Sequence, residues 1–271
     1  MPRFAANLSL LYSELPLLER FEAAAQDGFQ AVELLFPYDW PTAELAARLA
    51  GNGLELLFFN ATRRSRPDDR GVACLPERQA EFRDGFLRAL ELAETLDCPQ
   101  LHVMSGLVPA GASRAALRDC YLDNLRWAAR QAWACGRGVL IEPINQHDMP
   151  GFFLSHQDEA HALVQATGEP NVRVMMDLYH CQRTEGDALA QLRRHGSTGR
   201  IGHLQMAGVP GRHEPAATDA VDWPALFALV DTLGYGGWIG AEYHPRGGAA
   251  PGATTQGLGW RSMAAECPAR G

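Results

Sequence analysis

The sequence predicts an α/β fold, a (β/α)8 TIM barrel. Two observations carry that reading: eight short apolar runs alternate with helix-like stretches from end to end, and the later runs finish on oxygen-bearing side chains. The strand candidates are residues 4–8, 31–35, 54–60, 100–104, 138–142, 172–177, 201–206 and 238–242. Helical patterns between them cover residues 16–27, 41–52, 76–96, 114–135, 157–167 and 223–233. Several of these open with proline in the first turn, where a missing N–H costs nothing, and Gly28, Gly53 and Gly234 stand at their ends. A doubly wound open sheet is the structural alternative. It is the weaker one, because no glycine-rich phosphate fingerprint follows the first strand.

A chain of 271 residues fits one barrel domain, read here as residues 1–260, with 261–271 expected to be a poorly ordered tail. Residues 61–75, rich in Arg and Asp, are expected to form a rim loop or lid, and residues 247–253 a mobile loop near the site. The composition is 46% hydrophobic, yet no apolar run is long enough to span a bilayer, so a membrane location is not expected. Only one basic residue and no long apolar stretch occupy the start, so no signal peptide is apparent. The six cysteines are scattered without a Cys-x-x-Cys pair, which suits reduced, buried thiols and a cytoplasmic setting. Lys plus Arg number 24 against 32 for Asp plus Glu, a net charge of −8. That balance speaks against nucleic acid and anionic membranes as partners; a small anionic substrate needs only local charge, and a homo-oligomer stays open.

Four successive runs end on Glu142, Asp177, Gln205 and Glu242, at intervals of 35, 28 and 37 residues. Each interval is about the length of a strand plus its crossover helix and loops. In a closed parallel barrel all four side chains meet at the C-terminal rim, where barrel enzymes place their chemistry. Three carboxylates and an amide make a hard oxygen set suited to Mg2+ or Mn2+. Pro143 holds Glu142 in the extended conformation of a strand end. His180, in a loop three residues after Asp177, and Arg212, whose guanidinium suits a substrate carboxylate, are the candidate substrate-binding residues. His102 and His203 read as satisfied core histidines, and His213 as part of a solvated loop. Phe36, Trp40, Phe152 and Phe153 are candidate pocket walls that ordinary packing explains as well. A divalent ion between two glutamates acidifies the C–H beside a carbonyl, so aldose–ketose isomerisation is the expected chemistry.

At these residues the chain resembles the hydroxypyruvate isomerase family of xylose-isomerase-like barrels. The likeness runs through Phe4-Ala-Ala-Asn7-Leu-Ser, Gly28-Phe-x-x-Val-Glu33, Phe36-Pro-Tyr, Glu142-Pro-Ile-Asn145, Pro150-Gly-Phe and Asp177-x-Tyr-His180. It continues in Gly202-His-Leu-Gln205, Arg212-x-Glu214-Pro, Gly237-Trp-x-Gly-x-Glu242-Tyr and Gly257-Leu-Gly-Trp260. Asn145 after Glu-Pro, and glutamine instead of histidine at 205, favour this family over related sugar 3-epimerases. The resemblance implies Glu142 and Glu242 as the catalytic acid/base pair. It also implies Glu142, Asp177, Gln205 and Glu242 around a divalent ion, with His180 and Arg212 beside the substrate. The implied substrate is hydroxypyruvate, giving tartronate semialdehyde, or a 2-oxotetronate in a close sister group. Ala216-Ala217-Thr218 and His244 depart from the family's usual Gly-Thr-Gly and lysine in loops expected to line the site. An abasic-site DNA endonuclease on the same barrel needs a histidine-rich zinc cluster, which Gln205 does not suit.

Overall fold

The computed structural model describes residues 1–62 and 69–265. Nine parallel strand segments form a single sheet: β1 (Arg3–Asn7), β2 (Ala31–Glu33), β3 (Glu55–Leu56), β4 (Phe58–Asn60), β5 (Gln100–His102), β6 (Gly138–Ile141), β7 (Val172–Asp177), β8 (Ile201–Met206) and β9 (Trp238–Ala241). Their order is β3-β2-β1-β9-β8-β7-β6-β5-β4. Only Leu57 separates β3 from β4, and its N–H bonds the Val32 carbonyl at 3.0 Å. The two ends of the ladder are therefore one run of chain. The sheet closes into eight staves, as the sequence predicts.

Every expected helix forms, on the outside of the barrel. They are α1 (Leu17–Gln26), α2 (Thr42–Asn52), α3 (Gln79–Thr95), α4 (Arg114–Ala134) and α5 (Gln157–Thr167), followed by α6 (Leu178–Glu185), α7 (Ala188–Gly196) and α8 (Trp223–Thr232). Residues 76–78 form a 3-10 turn ahead of α3, so the first turn of that predicted helix is wound more tightly. Helix α4 starts at Ser113, whose hydroxyl accepts from the Ala116 N–H, and buries Leu117, Tyr121, Leu125, Ala128 and Ala132 at helical spacing. Gly53 ends α2 in the left-handed conformation, at φ 63°. The sequence reading omits α6 and α7, which lack the long apolar stripe of α4 and begin where β7 stops. Strands β2 and β5 stop two residues short of their expected ends, at Glu33 and His102, and β1, β6 and β9 stop one residue short.

The tail is packed where it is described. Ser262–Ala265 is a helical turn, and Arg261 donates to the Asp27 carbonyl at 2.6 Å and lies 4.0 Å over the Phe29 ring. The remaining residues of that predicted tail, and 63–68 of the predicted rim loop, lie outside the described residues. The described part of the rim loop sits at the C-terminal end of the barrel, with Cys74 N–H bonded to Ser105 O at 2.8 Å beyond β5. The loop after β9 shares that end: the Arg246 N–H reaches the Glu214 carboxylate, beyond β8. Among the described residues five cysteines are free, and no helix is long and apolar enough to cross a membrane.

The barrel interior is layered. Its lower layer is apolar, built from Ala5, Ala31, Leu57, Phe58, Leu140 and Met175 with Trp238 packed below. The layer above is polar and starts at Glu33, which reaches across the interior beside Gly240. A Cβ at 240 would lie 1.7 Å from Glu33 Oε1. The carboxylate cannot step aside, because three N–H donors hold it. Gly240→Ala is expected to cost about 1–3 kcal/mol of stability, the usual range for overpacking. Urea unfolding checks this; an unchanged midpoint refutes the packing argument.

Candidate active site

Each stave of the barrel delivers one polar side chain to the upper layer. In chain order these are Asn7, Glu33, Asn60, His102, Glu142, Asp177, Gln205 and Glu242, and none is more than 6% exposed. Alternation along a strand is the cause: positions two apart share a face, so His203 also points inward with Gln205. Above them lies a cavity of about 140 Å3, lined by Asn60, His102, Glu142, His180, Gln205, Arg212 and Glu242 and walled by Phe36, Met104, Met149 and Met175. That is well below the roughly 300–1,000 Å3 of drug-sized pockets, so the occupant is small.

The four oxygen-bearing residues read from the sequence meet here, on neighbouring staves. Asp177 is both the last residue of β7 and the N-cap of α6. Its Oδ1 accepts from the N–H groups of Tyr179 (2.8 Å) and His180 (3.4 Å), while Oδ2 is buried with no hydrogen-bond partner. Gln205 donates through Nε2 to Glu33 Oε2 at 2.8 Å, and its Oε1 is likewise buried and unpartnered. Two orphaned oxygens beside Glu142 form a donor set that fits a hard divalent cation. Glu242 sits differently, with Oε2 held 3.0 Å from the Arg212 guanidinium.

His180 lies in the first turn of α6, not in the loop expected from the sequence, because Asp177 starts the helix directly at the strand end. Its Nε2 is 3.6 Å from Asp177 Oδ2 and 3.8 Å from Glu142 Oε1. Ligand atoms of Glu142, Asp177 and His180 all fall within 4.8 Å of one another, which by distance alone makes a metal triad. Hydrogen bonding argues against His180 as a ligand. Asn145 Oδ1 accepts from the N–H groups of His147 (3.0 Å) and Asp148 (2.9 Å), so its Nδ2 must be the atom 2.6 Å from His180 Nδ1. Nδ1 then accepts and Nε2 carries the hydrogen. His180 presents a donor to the cavity, a role that suits a substrate oxygen better than a cation.

Arg212 is held at φ 53°, a left-handed conformation that costs a non-glycine residue about 1 kcal/mol or more. The turn brings its guanidinium beside Glu242, 3.8 Å from Asp177 Oδ2 and 5.2 Å above the Tyr179 ring. Its Nε is buried and has no hydrogen-bond partner, and the residue lines the cavity. Burial alone depresses its pKa, but Glu242, Asp177 and Glu142 outweigh that and raise it.

His102 is not the satisfied core histidine expected. Its Nδ1 meets Asn60 Oδ1 at 2.8 Å, but its buried Nε2 has no hydrogen-bond partner and faces Glu142 Oε2 at 3.6 Å. His203 does have a partner, Glu33 Oε1 at 2.5 Å. His213 is partly exposed and bonds only the His244 carbonyl through its ring, as a loop residue would. Of the aromatic candidates Phe36 alone lines the cavity; Phe152 and Phe153 are fully buried core residues, and Trp40 packs against the core. Glu33, Asn7 and Asn60 escaped the sequence reading as site residues. The expected strands 4–8 and 31–35 run past Asn7 and Glu33, which hides both as strand ends; Asn60 does end its expected strand, but asparagine there is ordinarily read as backbone capping.

Dry surroundings set the electrostatics. Burial, then repulsion from Glu242 and Asp177, raises the Glu142 pKa well above the ordinary carboxylate value. Burial likewise lifts Glu242 to about 8 and Asp177 to about 6, with Arg212 opposing in both cases. Burial pushes His102 down to about 3 and His180 well below its usual value.

A family profile described as "Xylose isomerase-like TIM barrel" matches residues 21–262. A protein of Cupriavidus necator named 2-oxo-tetronate isomerase is 52% identical, over 96% of this chain and 97% of its own length. The hydroxypyruvate isomerase of Escherichia coli is 39% identical, over 96% of this chain and 98% of its own. A crystal structure from Brucella melitensis, described as an AP endonuclease of family 2, superposes with a TM-score of 0.91 at 42% identity, covering 97% of this chain and 98% of that one.

The raised carboxylates make stability depend on pH when divalent ions are removed with chelator. With pKa values of about 8 for Glu242 and about 6 for Asp177, the native state keeps protons that the unfolded chain has released. Stability therefore falls as pH rises through that interval. His102 and His180 act in the opposite sense, but above about pH 6.5 they are neutral in both states and add no slope. The melting temperature of chelated protein is expected to decline from about pH 6.5 to 8.5, less steeply in Glu242→Gln. A flat or rising profile overturns the assignment.

Proposed function

Because the chain belongs to the xylose isomerase-like TIM barrel family and is an isomerase, we propose that it interconverts a small hydroxy-oxo acid with its carbonyl-shifted isomer through Glu142 and Glu242. The supporting observation is their placement. They come from staves separated by β7 and β8 and line one small cavity that Arg212 and His180 also line.

In this reading a proton leaves the hydroxyl-bearing carbon to one glutamate, and the electron pair left behind forms a double bond to the neighbouring carbonyl carbon. The other glutamate delivers a proton to that former carbonyl carbon. The original hydroxyl becomes the new carbonyl as its proton passes to the former carbonyl oxygen, which becomes the new hydroxyl; one glutamate ends protonated and the other free, so atoms and charge balance. Both glutamates must therefore cycle between protonated and free forms, which their raised pKa values favour, with Arg212 opposing the rise at Glu242. Arg212 offers its unpartnered Nε to the substrate carboxylate, and His180 offers Nε2–H to a substrate oxygen. A divalent cation, Mg2+ or Mn2+, held by Glu142, Asp177 and Gln205 with Glu242 beside them, supplies Lewis-acid stabilisation of the negative charge on the substrate oxygens. Gln205 Oε1 and Asp177 Oδ2 support that placement, since both are buried and free.

Hydroxypyruvate, converted to tartronate semialdehyde, is the substrate first expected from the sequence. The higher identity to the Cupriavidus necator protein moves a 2-oxo-tetronate, with one more carbon, ahead of it. The description of the Brucella melitensis protein raises abasic-site DNA cleavage as a second reading. A net charge of −8 and a cavity of about 140 Å3 favour the small acid over a nucleic acid partner.

Assays with hydroxypyruvate and a 2-oxo-tetronate, with Mg2+ or Mn2+ and after chelation, identify substrate and metal together. Glu142→Gln and Glu242→Gln keep the shape of the site but remove one proton acceptor each. Each is expected to lower turnover by roughly 10²–10⁴. Asp177→Asn is expected to weaken Mn2+ binding first, with activity partly recovered at high Mn2+. Near-native turnover in either folded glutamine variant refutes the mechanism.

A further inference from the structure

Glu33 lies outside the cavity lining and the proton-transfer pair, yet it is a fully buried carboxylate at the centre of the barrel. Room for it exists because residue 240 has no side chain, as the 1.7 Å approach of a Cβ there shows. Both its oxygens are met by N–H donors. Oε1 accepts from His203 Nε2 at 2.5 Å, and Oε2 from Gln205 Nε2 at 2.8 Å and Asn7 Nδ2 at 3.2 Å. Asn7 cannot turn its amide over, since its Oδ1 accepts from the Ser9 N–H at 3.1 Å.

The consequence falls on Gln205. A primary amide can face the cavity with its oxygen or its NH2, two groups of similar size and opposite chemistry. Glu33 Oε2 already accepts from the Asn7 amide, whose orientation is fixed, and Gln205 meets that same oxygen through its NH2 side. The carbonyl oxygen is thereby turned to the cavity, where it is buried and unpartnered beside Glu142 and Asp177. We propose that Glu33 is a positioning residue that fixes the orientation of the Gln205 amide, so that an oxygen donor, and never an NH2, meets the cation at that corner of the site. The proposal rests on the cation placement given above. It adds the reason an amide serves there: it donates to Glu33 through one end and leaves an oxygen at the other, which a carboxylate with no N–H does not do.

A double-mutant cycle on Mn2+ affinity tests it, read by electron paramagnetic resonance of free Mn2+ with no substrate present. Glu33→Leu removes both acceptors and is expected to weaken Mn2+ binding by roughly 10–100-fold, the usual cost of losing a partner that orients a ligand. In a Gln205→Leu background the same change is expected to cost less than about 3-fold, because there is no amide left to orient. A loss of equal size in both backgrounds overturns the proposal, since a general effect of charge or packing does not depend on residue 205. Glu33→Gln, run through the same cycle, serves if Glu33→Leu does not fold, and unaltered affinity in every folded Glu33 variant also overturns it. A native protein that binds no Mn2+ at millimolar concentration overturns the cation placement itself, and that outcome is visible before any variant is made.

Discussion

Everything at this site depends on placing several carboxylates in one dry layer of a closed barrel. Charged groups removed from water are costly unless partnered, so the layer holds together only because donors arrive from other staves. Glu33 receives three N–H groups, Asp177 two backbone N–H groups, and Glu242 the Arg212 guanidinium. Glu142 is the exception. It has histidine nitrogens at 3.6 and 3.8 Å, and burial with repulsion from Glu242 and Asp177 drives its pKa up. The least compensated group is thus the one at the end of β6.

The barrel was legible because its signal is repeated eight times: a short apolar run, a helix pattern, and another run. The carboxylate half of the site was legible for the same reason, since Glu142, Asp177 and Glu242 are conspicuous at the ends of apolar strands. The other half was not. Asn7 and Asn60 end their strands in the same way, but an asparagine in that position has bland explanations that only three-dimensional partners exclude. His102 illustrates the limit, because sequence shows that it lies in a strand but not that only one of its ring nitrogens finds a hydrogen-bond partner. Helix α6 was missed because its cap, Asp177, is also the last strand residue, leaving no loop to announce it.

Orientation, more than presence, separates this site from a generic cluster of polar residues. The hydrogen on His180 is fixed two bonds away, by backbone N–H groups that hold the Asn145 amide. Arg212 reaches Glu242 only by way of a backbone conformation that most residues avoid. Such arrangements put the constraint in the scaffold, so that little reorganisation is required when a substrate enters.

The direct junction between β7 and α6 has an evolutionary consequence. After β1, β5, β6, β8 and β9 a stretch of irregular chain precedes the next α-helix, and its length can change without disturbing the strand. At Asp177 no such slack exists. One residue ends the ladder, caps the helix and supplies a site oxygen, and His180 follows within the same turn. An insertion here would displace two functional groups at once. A change of chain length is better tolerated in other rim segments, such as those after β8 and β9, while the β7 corner serves as the fixed origin from which the site is measured.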